Sequence, residues 1–252
     1  SRRSLAHVHG HDMGGEGGPP LEREVPPGEE VGIELPLVAP HEPGEHAGLW
    51  QLCTPEGELF GTELRVVVEV VLFHDDFSDP DSGWPREADE RRVFVCEGGM
   101  YIILANEPGT LFRALAPIEM LEDFVLEVDV ELLGEPRPAV FGVVFRHQDV
   151  YNTYAFLIRN NGQYGLWKRV SDEAGAIGGP EWTSSPHIRR TGRNRLRVVC
   201  EGPHIALFVN DQHLRTVVDE SFLAGRVGLC ASLGEEGEPI EVAFDNVVVR
   251  LP

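Results

Sequence analysis

The chain has 252 residues, 42% of them hydrophobic, with 28 glycines and 19 prolines: enough for one large or two ordinary cores, and punctuated for short strands and tight turns. Its formal net charge is −21, a balance that cannot neutralise phosphate and so argues against nucleic acid and anionic membrane surfaces as partners. No apolar run is long enough to span a bilayer as a helix, so direct membrane insertion of this segment is not expected.

In chain order, His7, His9 and His11 alternate, which on a strand puts three imidazoles on one face: a metal trio or an exposed polar face. Pro26-Pro27-Gly28 and Pro43-Gly44 mark corners, and Trp50 has the alternation of a core anchor. Residues 63–72 are valine-rich and read as a strand. A polar turn, His74-Asp75-Asp76-Phe77-Ser78-Asp79-Pro80, follows, so a domain boundary is expected near Phe73 (1–72 and 73–252). Beyond it, 124–132 alternates strictly, with Phe124, Leu126, Val128, Val130 and Leu132 on one face and Glu127, Asp129 and Glu131 on the other. Further strands are predicted at 140–146, 153–159, 164–170, 195–201, 204–210, 226–232 and 241–251, separated by turn dipeptides such as Asn161-Gly162. A short helical turn is predicted near 219–224, and no segment sustains a 3.6-residue apolar period. The fold class is therefore all-β, a pair of sandwich-like modules.

The motifs Val25-Pro26-Pro27-Gly28-Glu29-Glu30-Val31, Ala39-Pro40, Pro43-Gly44, Gly48-Leu49-Trp50-Gln51-Leu52, Glu56-Gly57 and Phe60-Gly61 occur in order. Together they resemble the Ig-like four-tryptophan domain of selective-autophagy receptors and bacterial surface proteins. That family carries its early tryptophans on strands that precede this pattern, whereas Trp50 is the first tryptophan here. The resemblance thus implies an Ig-like sandwich entered partway. It leads to the expectation that about two further strands cover Trp50, either from the polypeptide before Ser1 or from a neighbouring subunit, which would make self-association a property of the domain.

In the second module, Asp75-Asp76-Phe77, Phe145-Arg146 with Asp149 and Tyr154, Asn194-Arg195-Leu196-Arg197-Val198, Leu207-Phe208-Val209-Asn210, Gly225-Arg226-Val227-Gly228-Leu229 and Phe244-Asp245-Asn246-Val247 resemble the laminin-G-like, concanavalin-A-like jelly rolls of bacterial extracellular proteins. That fold hosts lectins, adhesins, sugar hydrolases and spacers alike.

Three constellations carry chemistry. Glu127-Val128-Asp129-Val130-Glu131 is similar to the catalytic strand of family 16 glycoside hydrolases, with one Glu as nucleophile and the other as acid/base; a solvated acidic face is the alternative. Asp75 or Asp76 with Asp245, near the two ends of the module, form a candidate set for one structural calcium ion, or are turn-forming aspartates with local backbone bonds. Arg146, Asp149, Tyr154 and Trp167 are candidates for a ligand-binding face; the alternative is an Arg146–Asp149 salt bridge across a loop with Tyr154 and Trp167 in the core. Cys200 and Cys230 either meet across a sheet or, like Cys53 and Cys96, are small buried hydrophobes. The expected function is non-catalytic binding or adhesion outside the cell or at its surface, toward a glycan or a surface protein. A structural subunit of an envelope assembly and a glycosidase are the alternatives.

Overall fold

The computed structural model describes residues 4–15, 25–26, 28–134, 137–234 and 237–252; Pro27 of the first corner motif lies outside the described residues. The chain divides into two compact units, Ser1–Val71 and Leu72–Pro252.

The first unit holds an antiparallel sheet of β1 (Ser4–Gly10), β2 (Gly44–Cys53) and β3 (Leu59–Val70), in the order β1-β2-β3. Trp50 is fully buried, packed with Leu5, Met13, Leu37 and Val66. Residues of this unit itself supply cover where further strands were expected to. Residues 31–40 form no strand, yet Ile33, Leu35 and Leu37 alternate inward, and Val38 N donates to Met13 O at 2.7 Å to hold the segment down. Gly48 makes room for the indole: a Cβ there would stand 2.4 Å from its ring and 2.3 Å from His11 O. The histidine trio does not form. The β1–β2 register slips between His7 and His9, β1 ends before His11, His7 packs edge-on to Trp50 and His11 to His46. Among the described residues no cluster of three or more metal-binding side chains exists.

The second unit continues with β4 (Phe73–Asp75), β5 (Glu87–Ala88), β6 (Arg92–Glu97), β7 (Met100–Ala105), β8 (Phe112–Leu115), β9 (Phe124–Leu133), β10 (Val140–Asp149), β11 (Asn152–Arg159), β12 (Gln163–Val170), β13 (Glu173–Ala176), β14 (Thr183–Ser184), β15 (Asn194–Glu201), β16 (His204–Val209), β17 (Gln212–Val218), β18 (Arg226–Ser232) and β19 (Ile240–Arg250). They form two sheets: a seven-stranded one, β13-β12-β11-β10-β18-β8 with β14 on β12, and a nine-stranded one, β17-β16-β15-β9-β19-β7-β6-β5 with β4 on β19. Period-two alternation drives this pairing. On β9, Phe124, Leu126, Val128 and Val130 are buried in the core between the sheets, where Phe156, Ile158, Leu196, Val198 and Phe244 meet them. Residues 219–224 form bends rather than the predicted helical turn. Their shape is set by Asp219, which receives Lys168 Nζ at 2.6 Å, Tyr154 Oη at 2.5 Å and Ser221 N at 3.0 Å.

Burial pushes the Asp219 carboxyl up, but the bonds from Lys168, Tyr154 and Ser221 outweigh it and hold the group below the usual carboxylate range. A lowered folded-state pKa contributes stability that is complete above the unfolded value of about 3.9 and is lost as pH falls below it. Asp219→Asn should therefore be less stable than the parent at pH 7 and lose less stability between about pH 4 and pH 2. Urea unfolding at a series of pH values reads both; parallel acid limbs would refute the assignment.

Candidate functional site

The seven-stranded sheet turns one face to the core and one outward. The register places two rows across that outward face: Arg113–Cys230–Gly142–Leu157–Gly165, and Leu115–Gly228–Val144–Ala155–Trp167–Ala176. The centre of both rows is glycine or apolar, and Val144, Ala155, Leu157 and Cys230 are buried there beneath Leu111, Leu115, Val140, Trp167 and Trp182. At the β12 end stand Trp167 and Trp182, ring centroids 5.9 Å apart, with the Arg159 guanidinium 3.7 Å above Trp182. Trp182 reaches this place because the chain around Glu181 crosses close over Gly165, where a Cβ would stand 2.3 Å from Glu181 O.

At the β8 end the rows open into a cavity of about 370 Å³. Phe112 and Ala114 of β8 point into the core, which turns Arg113 and Leu115 outward to line it. His147 lines it from β10, Arg169 from β12, and Tyr151 from the β10–β11 turn; Arg91, Arg92 and Glu87 complete the rim. Four arginines and a histidine thus face one carboxylate, in a chain with 42 acidic and 21 basic residues. Arg91 pairs with Glu107 and Arg92 with Glu87. Arg113 and Arg169 have no carboxylate partner among the described residues: Arg113 Nη1 makes a long 3.4 Å bond to Val150 O, and Arg169 donates to Ser171 O. Two buried donor or acceptor atoms in the lining have no partner, Arg113 Nε and His147 Nδ1. Burial, then the neighbouring Arg113, push the His147 pKa below its ordinary value, so the ring is held neutral. Burial likewise lowers that of Arg113, although a guanidinium remains charged.

Of the sequence-predicted binding residues, only Trp167 lies on this face. Arg146 is fully buried and donates to Phe222 O, Glu122 O and Gly202 O at 3.1, 3.2 and 2.6 Å. The β10–β18 register shifts between Val144 and His147, and the left-handed backbone of Arg146 (φ 45°) turns its side chain inward. Gly225 permits this, since a Cβ there would stand 2.2 Å from the Arg146 carbonyl carbon. Tyr154 is buried, stacked on Phe145 and bonded to Asp219. Asp149 is a turn residue: it accepts Tyr151 N at 2.7 Å and the Asn152 side chain, and these bonds, the side-chain one foremost, lower its pKa. It shapes the turn that presents Tyr151 and acts on the cavity-lining His147 by its charge.

Carboxylates of the other two constellations have partners within the protein. Glu127 and Asp129 form cross-strand ion pairs with Arg195 and Arg197 of β15, joined by Arg193 and Arg250. Asn246 adds a hydrogen bond to Asp129. These carboxylates are bound to guanidinium groups on a sheet face, and positions four apart on an extended strand start about 13 Å from each other, whereas a retaining hydrolase pair needs about 5 Å. The aspartates expected to hold calcium also have protein partners. Asp75 receives Phe77 N and Trp84 Nε1 at 2.8 Å each, Asp76 receives Ser78 N, and Asp245 pairs with Arg193. Cys200 and Cys230 lie in different sheets and all four cysteines are free thiols. Burial pushes both Cys200 and Cys230 up to about 12.

Residues 1–70 match the family model of the Ig-like domain from next to BRCA1 gene. Among curated protein sequences none matches the chain. Solved structures share the fold over much of the chain at low identity. The carbohydrate-binding module CBM66 from Bacillus subtilis is 20% identical with a TM-score of 0.51, over 67% of this chain and 96% of that one. A protein of unknown function with a galectin-like fold from Bacillus subtilis is 12% identical with a TM-score of 0.53, over 72% and 96%. The GH43 BlXynB protein from Bacillus licheniformis is 13% identical with a TM-score of 0.56, over 82% of this chain and 51% of that one. The second unit thus has a jelly-roll fold, and at these identities the structural likeness speaks for the fold alone.

Proposed function

We propose that the second unit binds a glycan on the outward face of its seven-stranded sheet. The observation that carries this reading is the arrangement on that face: a cavity rimmed with hydrogen-bond donors at the β8 end, and the part-exposed Trp167–Trp182 pair at the β12 end. Aromatic rings stack on the apolar faces of sugar rings, and fixed polar groups select hydroxyl geometry. The galectin-like fold and the similarity to a carbohydrate-binding module support it. The Glu127 and Asp129 ion pairs favour binding over hydrolysis. Such glycans are met at the cell exterior, and there the buried Cys96, Cys200 and Cys230 would be shielded from oxidation. Adhesion, with the Ig-like unit as spacer or second contact, belongs to the same reading.

Trp167→Ala should weaken binding of whichever oligosaccharide a glycan panel identifies by about 10-fold or more, the effect expected for losing one stacked aromatic. Calorimetric titration of the parent and the variant measures this. Equal affinities would remove the face from consideration.

A further inference from the structure

We propose that the recognised sugar carries a single anionic group, a carboxylate or a sulfate, held in the cavity by Arg113 and Arg169 between Tyr151 and His147. This rests on the glycan reading above and specifies its ligand. Neutral sugars present hydroxyls, each of which both donates and accepts. A site for them needs acceptors as well as donors. The cavity is donor-rich, with four arginines against the Thr110 and Tyr151 hydroxyls and a neutral His147, and its one carboxylate, Glu87, is already bound to Arg92. Arg113 is the decisive residue. It stands half-buried, its Nε is shut off from water with no partner, and no carboxylate among the described residues neutralises it. In a chain with 42 acidic residues, keeping a cation unpaired beside three more arginines opposes folding through desolvation and repulsion. An anion seated there would supply the missing charge and accept from the guanidinium fork in two places. His147 Nδ1, unpartnered in a residue 7% exposed, can donate to the same ligand in its Nδ1–H tautomer.

The size and the long-range field limit the ligand further. About 370 Å³ accommodates one or two sugar units. The remainder of a protein with net charge −21 repels a polyanion over roughly a Debye length, about 10 Å at 0.1 M salt. The fitting ligand is therefore one acidic unit on an otherwise neutral glycan, not a polyuronate.

The test uses the whole chain on an array of matched oligosaccharides in neutral, uronylated, sialylated and sulfated forms, followed by titration of the strongest pair. Acidic members should bind at least 10-fold more tightly than their neutral partners. Uronylated and sialylated members binding alone would assign the carboxylate, and sulfated members binding alone the sulfate. Arg113→Gln, and separately Arg169→Gln, should reduce affinity for the acidic member about 10- to 100-fold, the range for losing a charge-assisted pair, while unchanged melting curves show that both fold. Neutral and acidic members bound equally well, acidic binding indifferent to both substitutions, or equal binding of an oligoaspartate peptide would overturn this inference and leave glycan recognition standing. Failure of every oligosaccharide would overturn both.

Discussion

Arg146→Ala should cost the second unit about 3–5 kcal/mol, the range for removing one member of a buried charged network. The guanidinium is fully buried and ties together three stretches of chain far apart in sequence, through the carbonyls of Glu122, Gly202 and Phe222. Its loss leaves those carbonyls without their donors and opens a cavity the size of the side chain. For a unit of this size the melting temperature should fall by roughly 6–20 °C. Arg146→Met separates the contributions: it keeps the packing volume and loses the bonds, so it should fall between parent and alanine variant. A loss below about 1 kcal/mol for Arg146→Ala would mean that the three bonds do not hold the loops.

Trp50→Ala should unfold the first unit. Trp50 is its largest fully buried side chain, and truncating such a residue costs about 3–5 kcal/mol. A unit as small as Ser1–Val71 has about that much stability in total. Limited proteolysis should cut the variant within 1–71 while residues 72–252 persist as a fragment, and hydrogen exchange should show β2 amides unprotected. Gly48→Val tests the same packing from the opposite side, because its side chain would collide with the indole and with His11 O. A proteolytically resistant Trp50→Ala would show that the Leu35–Leu37 cover is not what holds the sheet.

Strand placement was legible wherever one face of a strand is buried. On β9 and β15 the alternation of apolar and charged residues states which side faces the core. Even the partners of Glu127 and Asp129 were present in the text, as arginines at 193, 195 and 197 with the same period of two. Three things were not legible. A β-bulge shifts the pairing at Arg146, and nothing in the local pattern announces a left-handed backbone at a non-glycine residue, so a residue nominated for the ligand face lies inside. β11 is apolar on both faces, from Thr153 to Ile158, so periodicity cannot say that Tyr154 points inward. The cover of Trp50 lacks ladder hydrogen bonds and contains Pro36, so it gave no strand signal although Ile33, Leu35 and Leu37 alternate.

The site was harder to read because it is assembled from distant strands. Arg113, His147 and Arg169 are separated by 34 and 22 residues, and only the order β12-β11-β10-β18-β8 brings them to one cavity. Arg113 was findable in principle, as the charged residue in the short alternating run Phe112-Arg113-Ala114-Leu115. Its lack of a counter-ion is a property of the fold alone.

The central claim is that the outward face of the seven-stranded sheet is the glycan-binding surface. Its most direct measurement is a map of backbone amide shifts during titration with the strongest oligosaccharide from the array. Shifts should concentrate on β8, the β10–β11 turn, β12 and the residues around Trp182, and leave the ion-paired face of β9 and β15 unmoved. Shifts centred on Glu127, Asp129 and Arg195, with β8 and β12 unmoved, would contradict the account.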